Sequence, residues 1–234
     1  MFPFPFSFLG AGEAPPPPEL ELIDNDFAME FNGTDEYVSA GDNDIFSFGN
    51  GTTDSPFTLS AWINADNYPA GSACILGKDQ TNSNREYVLG VWNGKVRIFI
   101  KSQGGNNQQS IDSTTSLSAG QWYHVVATYN GVGGNNAADG LTIYINGAAE
   151  TPTNVTKNTY VAMSNGTSPF VIGQYFNAAF FDGDIDEVAI WSKALDATDI
   201  QTIYNATNDN PGKCANLWSG GLGTGLVYWN RMGD

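Results

Sequence analysis

Basic residues are scarce in this chain. Nine Lys and Arg stand against 25 Asp and Glu, a formal net charge of −16 over 234 residues. A field of that sign disfavours nucleic acid and anionic membrane surfaces as partners. Histidine occurs once, as His124, so neither a histidine-rich metal site nor a choice of histidine bases is available. The two cysteines, Cys74 and Cys214, lie in no C-x-x-C or other metal spacing, and two free thiols are expected. No apolar run reaches membrane-spanning length, so no membrane insertion is expected. The apolar N-terminus has no Lys or Arg and is broken by prolines, which does not read as a classical secretory signal. G-x-S-x-G, a P-loop, and G-x-G-x-x-G after a strand are all absent; the glycines of Gly131–Gly134 precede no helix.

What is abundant is apolar and turn-forming. Hydrophobic residues make up 41% of the chain and aromatics 13%, enough for one sizeable core, and 27 glycines punctuate it. Residues 1–25 read as an extended arm. Phe2, Phe4, Phe6 and Phe8 are interleaved with prolines, and Pro15–Pro18 form a stiff spacer. Bulky aromatics on an arm are expected to dock, on this protein or on neighbouring subunits. Residues 26–206 read as the folded domain, and 207–234 as a Gly-rich tail ending in LVYWNRMGD.

Within the domain, strands are expected at Phe27–Phe31, Glu36–Ala40, Phe57–Asn64, Ala73–Gly77, Glu86–Trp92 and Lys95–Lys101. Phe27, Met29 and Phe31 alternate inward, as do Phe57, Leu59, Ala61 and Ile63, with Trp62 on the opposite side. Asn93-Gly94 predicts a tight hairpin turn. Gln121–Gly131 (QWYHVVATYNG) is apolar on both faces, as a central strand is; LTIYING and PFVIGQ follow. The segment Phe181–Tyr204, FDGDIDEVAIWSKALDATDIQTIY, combines a turn, a strand and a short helix capped by Asp196. Its strand divides into Ile185, Ala189 and Trp191 on one side and Val188 and Ile190 on the other. Asp184, Asp186 and Glu187 inside it need solvent, partners or a cation.

These segments resemble the LamG-like (laminin G, pentraxin, concanavalin A-like lectin/glucanase) jelly-roll family. Its closing pattern is F-x-G-x-I-D-E-V-x-I-W/Y-x-x-x-L-x-x-x-x-I. Phe181, Gly183, Ile185, Asp186, Glu187, Val188, Ile190, Trp191, Leu195 and Ile200 match it in order. AMEFNGTDEYV, FTLSAWI and WYHVVATYNG resemble the family's opening and central segments, so the likeness runs from Phe27 to Tyr204. The implied fold is all-β: a concanavalin A-like sandwich of two antiparallel sheets, with one short helix near the C-terminus.

The resemblance implies three chemical expectations. A structural Ca²⁺ is expected where the first turn meets the closing strand. Asp186 would be its side-chain ligand, Asn32 and Gly33 would supply oxygens, and Glu30 and Asp35 are further candidates. Carbohydrate binding is expected around Arg85, Trp92, Asn93, Tyr175, Phe176 and Asn177, since sugars need flat aromatics with amides or charged groups beside them. Catalysis is not expected. The family's glucanases carry Glu-x-Asp-x-x-Glu, which this chain lacks, and His124 reads as a packed imidazole. Two functional readings follow. One is a non-enzymatic virion-surface module, a phage capsid decoration or fibre-like protein anchored by the N-terminal arm to other structural subunits. The other is a secreted or cell-surface calcium-dependent lectin. A divergent glycoside hydrolase is the outlying third. Glycan partners and a homo-oligomer are compatible with either of the first two.

Overall fold

A computed structural model describes residues 18–68, 71–81, 84–102 and 107–234. The Phe/Pro-rich part of the arm, residues 1–17, lies outside them. The chain opens with β1 (Leu22–Asp24), β2 (Met29–Asn32), β3 (Val38–Gly41) and β4 (Phe57–Ala65). It continues through β5 (Ser72–Thr81), β6 (Asn84–Trp92), β7 (Lys95–Lys101), β8 (Gln108–Ser116) and β9 (Tyr123–Tyr129). Then come β10 (Leu141–Ile145), β11 (Ala148–Ala149), β12 (Thr153–Lys157), β13 (Phe170–Ile172) and β14 (Asp182–Trp191). The single α-helix among the described residues, α1 (Ala197–Asn208), precedes β15 (Lys213–Ala215) and β16 (Leu226–Asn230).

Two seven-stranded sheets form the sandwich. The first runs β11-β10-β9-β4-β14-β16, and the second β12-β8-β7-β6-β5-β13-β3. In the first, β14 pairs with β4 along one edge, while β2 and then β16 share its other edge. Core residues follow the period of two. Phe57, Leu59, Ala61 and Ile63 of β4, and Val125, Ala127 and Tyr129 of β9, enter one apolar cluster with Leu89, Val91, Ile98 and Ile100 of the second sheet. The predicted hairpin forms: Asn93 and Gly94 both take positive φ, 49° and 76°, as the turn between β6 and β7 requires.

A bulge in β14 changes the reading of the acidic strand. Asp186 pairs with Trp62 and Ala189 with Ser60, so β14 has one residue more than β4 between these points. Glu187 is the extra residue, at φ 49°. Alternation therefore slips: Ile185, Val188 and Ile190 face the main core, whereas Ala189 and Trp191 face outward beneath α1. The predicted partition of Ile185 with Ala189 and Trp191 is corrected by that slip, and both buried acids now belong to the outer side.

That outer side is roofed. Leu195, Ile200, Ile203 and Ala206 of the helix region pack with Ala189, Trp191, Ala215, Leu217 and Leu222. Burying Ile200 and Ile203 stabilises the roof by about 1.5–3 kcal/mol each. Asp196 caps α1, its Oδ1 accepting from the N–H groups of Thr198 and Asp199 at 2.8 and 2.9 Å. The stretches read as arm and tail both contribute strands. β1 pairs with β15, β16 completes the first sheet, and the Trp191 indole donates to Leu222 O at 2.7 Å. Glycines masked these pairings in the sequence because the strands they join are only three to five residues long. The opening strands also differ from expectation. β2 joins the first sheet and β3 the second, so Asn32-Gly33 crosses between layers. Phe31 is buried as predicted, but Phe27 is 65% exposed, because its segment lies over the edge of the roof rather than in the core.

Candidate functional site

The six residues expected to bind carbohydrate come from β6, the β6–β7 turn and the stretch after β13. Trp92 and Tyr175 meet edge-to-face at 6.2 Å, Tyr175 and Phe176 lie 5.8 Å apart, and the Arg85 guanidinium sits 5.3 Å over the Phe176 ring. Asn93 and Asn177 stand exposed beside them. Phe99 joins the group on the outer face of the second sheet, together with buried Cys74 and Val88. The Trp92 ring packs over Gly90, where a Cβ would come within 2.7 Å of it.

Sequence reasoning missed the cations that accompany this patch. Lys101 Nζ lies 4.4 Å from the Phe99 centroid and donates to Tyr175 Oη at 3.2 Å; Arg97 lies 5.5 Å over Trp92. Three of the nine basic residues thus gather on one face of an acidic protein. Arg97 is held bidentately by Asp112, at 2.5 and 2.7 Å. Asp79, fully buried, lies 3.4 Å from Lys101 and 3.8 Å from Arg85, too far for well-formed hydrogen bonds. Burial pushes its carboxyl up to about 6 against the pull of both cations. The signal available was period two: Arg97, Phe99 and Lys101 alternate along β7.

A second concavity lies on the roofed side. It is a cavity of about 490 Å³ between the outer face of β4 and β14, the helix, and the segment between β1 and β2. Trp62 forms its floor, in a layer of three nearly parallel rings with His124 at 5.2 Å and Tyr204 at 5.8 Å. Trp122 and Phe27 stand at its rim, Trp122 being 42% exposed. Tyr204, Thr207 and Asn208 of α1 line it at helical spacing. Asp186 lines it as well, accepting from Asn25 Nδ2 and from the Glu187 N–H. Burial, reinforced by the charge of Glu187, pushes its carboxyl up to about 7 despite those bonds. The legible clue was Trp62 itself, a large aromatic on the polar side of a strand, beside Thr58, Ser60 and Asn64.

The expected calcium ligands are not brought together. Register places Asp182, not Asp186, opposite Asn32, and Asp184 opposite Glu30. Asn32 Oδ1 closes its own turn by accepting from Thr34 and Asp35, and Asn32 Nδ2 donates to Asp35. Asp186 is turned to Asn25 four residues further along β14. Among the described residues no group of three or more His, Cys, Asp or Glu is arranged to hold a metal ion. These residues do not fit the implied cation.

Ser60 Oγ and His124 Nε2 are 3.0 Å apart, a spacing seen in nucleophile–base pairs. Both are buried, the adjoining void is about 10 Å³, and His124 Nδ1 has no partner among the described residues. Burial pushes the imidazole down to about 3, so it is neutral. Without an orienting carboxylate or room for a substrate, the pair packs the sheet against the roof.

Solved structures share this sandwich. A Bacteroides ovatus protein provisionally described as carbohydrate binding superposes with TM-score 0.54 at 22% identity; the match covers 89% of this chain but only about half (52%) of that protein. Domain 4 of the Geobacillus stearothermophilus arabinanase AbnA, solved with arabinotriose, gives TM-score 0.52 at 17% identity, covering 78% of this chain and 80% of the domain. The Ruminococcus gnavus IT-sialidase CBM40, bound to α2,3-sialyllactose, gives TM-score 0.57 at 11% identity, covering 79% and 98%. At such identities the likeness is one of fold. Comparison with curated proteins yields no match. A laminin G family model does match residues 32–201, spanning the sandwich from the end of β2 into α1, and the chain belongs to the concanavalin A-like lectin/glucanases superfamily.

Proposed function

We propose that the protein is a lectin-like, non-catalytic module that binds a glycan across the outer face of the second sheet. The observation that carries this reading is the convergence of Arg85 and Trp92 of β6 with Tyr175 and Phe176 from the stretch after β13 into one aromatic and cationic surface. Trp92 and Tyr175 would stack on sugar C–H faces, and Asn93 and Asn177 would reach hydroxyls. Arg85, Arg97 and Lys101 set three cations against the two carboxylates Asp79 and Asp112, so this face leans positive on a chain otherwise strongly negative, which favours an acidic sugar. The glycan ligands of structurally similar modules, arabinotriose and sialyllactose, supply the first probes. A glycan array including both is expected to show binding that Trp92→Ala and Tyr175→Ala each weaken by about tenfold or more. Binding unchanged in both variants, or no glycan bound, would overturn the reading.

The finer reading, display on a virion surface, draws support from where the arm leaves the body. β1 pairs with β15, and Leu20 packs into the roof cluster. The described chain thus begins on the roofed side, opposite the proposed glycan face. Deleting residues 1–18 should leave the melting temperature unchanged and abolish association with other structural subunits; retained association rejects the anchor.

A further inference from the structure

The roofed cavity has a chemistry of its own. At about 490 Å³ it suits a small molecule. Its lining includes four aromatic side chains, Trp62, Trp122, Tyr204 and Phe27, whose π faces attract positive charge. Two carboxylates, Asp26 and Asp186, line the same space, and no Lys, Arg or His does. Arg231 and Lys213 are engaged elsewhere, Arg231 with Glu187 and Asp234 and Lys213 with Asp24.

The hydrogen-bonding pattern discriminates further. A neutral sugar needs donors as well as acceptors from its site. Here Asn25 Nδ2 is spent on Asp186, Tyr204 Oη on Asn208, and Asn208 Nδ2 on Asp209. The Oδ1 of Asn25, by contrast, is buried without a partner among the described residues. Asn25 Oδ1 and the Asp26 carboxylate add acceptors beside Asp186, which suits a ligand that carries positive charge or N–H donors.

We infer that this cavity is a second ligand site, on the opposite face of the sandwich from the proposed glycan surface, and that it takes a small organic cation: an ammonium or alkylammonium group on a compact polar carrier. The aromatic rings would surround the cationic head, Asp186 and Asp26 would balance its charge, and Asn25 Oδ1 would accept from an N–H where the head has one. The site does not depend on the glycan reading, because the two faces share no lining residue.

Isothermal titration of the full chain with choline chloride and with glucosamine hydrochloride, against glucose and sodium chloride at matched ionic strength, tests this. Saturable binding is expected for at least one of the two cations and for neither control. Trp122→Ala and Asp186→Asn should each weaken it by about tenfold, while Trp92→Ala leaves it unchanged. Each variant is first checked for a wild-type melting transition. If Asp186→Asn does not fold, Trp122→Ala decides, since Trp122 sits at the rim and is 42% exposed. Equal binding of glucose and glucosamine would make the cavity a neutral-sugar site and overturn the inference. So would the absence of saturable cation binding, or cation binding unaffected by Trp122→Ala.

Discussion

The two outer faces of the sandwich bury their acids differently. Beneath the roof, Asp186 and Glu187 sit in a bulge where neighbours aim donors at them. Asn25 and a backbone N–H serve Asp186; the Trp229 indole at 2.6 Å and Arg231 at 3.2 Å serve Glu187. On the open face, Asp79 is buried as deeply, but what stands near it is charge at 3.4 and 3.8 Å rather than well-formed hydrogen bonds. A carboxylate stabilised by directed donors keeps most of its stabilisation when one cation is lost. One stabilised by Coulomb attraction alone does not. The open face therefore carries incompletely satisfied polarity, the condition a ligand with its own polar groups can improve.

The largest expected effect breaks this comparison on the open face. Lys101→Ala leaves Asp79 buried with only the more distant Arg85, and should cost about 3–5 kcal/mol near pH 7.5. The sign with pH follows from burial. Folded Asp79 holds its proton to about pH 6, against 3.8 for a free aspartate, so the folded state binds more protons between those limits. Its contribution to stability is most favourable below about pH 4, falls as pH rises to 6, and stays lower above, by on the order of 3 kcal/mol. The Lys101→Ala penalty should accordingly shrink sharply at pH 4.5. Urea unfolding at both pH values checks this; an equal penalty at both would mean that Lys101 acts by packing and not by charge.

A smaller effect is expected under the roof. Glu187→Gln keeps an acceptor for the Trp229 indole and loses the ion pair to Arg231, whose side chain is 24% exposed. Partial solvation discounts the pair, and the cost should be about 1 kcal/mol. If it exceeded that of Lys101→Ala, the distinction between the faces would fail. Little of this contrast was legible beforehand, and the reason is range. β4, β9 and the Asn93-Gly94 hairpin were readable because alternation and turn chemistry are local. Trp92, Tyr175 and Arg85 could be named singly from sequence, but that they meet on one face is seen only in the fold. The Glu187 bulge was not readable, because it exists only in the pairing of β14 with β4. Nor was the cavity, whose walls come from residues as distant as Asn25, Trp62, Trp122, Asp186 and Tyr204. The expected calcium set failed on register for the same reason: Asn32 lay beside the acidic strand as anticipated, but four residues from Asp186 along it.

The most local expected effect, no larger than that of Glu187→Gln, asks whether the roof is what shapes the cavity. Tyr204, Thr207 and Asn208 line it from α1, and the helix is held at its start by the Asp196 side chain on two backbone N–H groups. Asp196→Ala removes that cap and should cost about 1 kcal/mol. The loss should be local, because Ile200 and Ile203 still anchor the helix through buried apolar surface. Hydrogen exchange should therefore quicken across the first turns of α1 while the amides of β6 and β7 stay protected. Cation binding in the cavity should weaken by a few-fold, and glycan binding at Trp92 should be untouched. If both activities fell together, the helix would be coupled through the core to the opposite sheet, and the two faces would form one cooperative unit instead of two independently tunable surfaces.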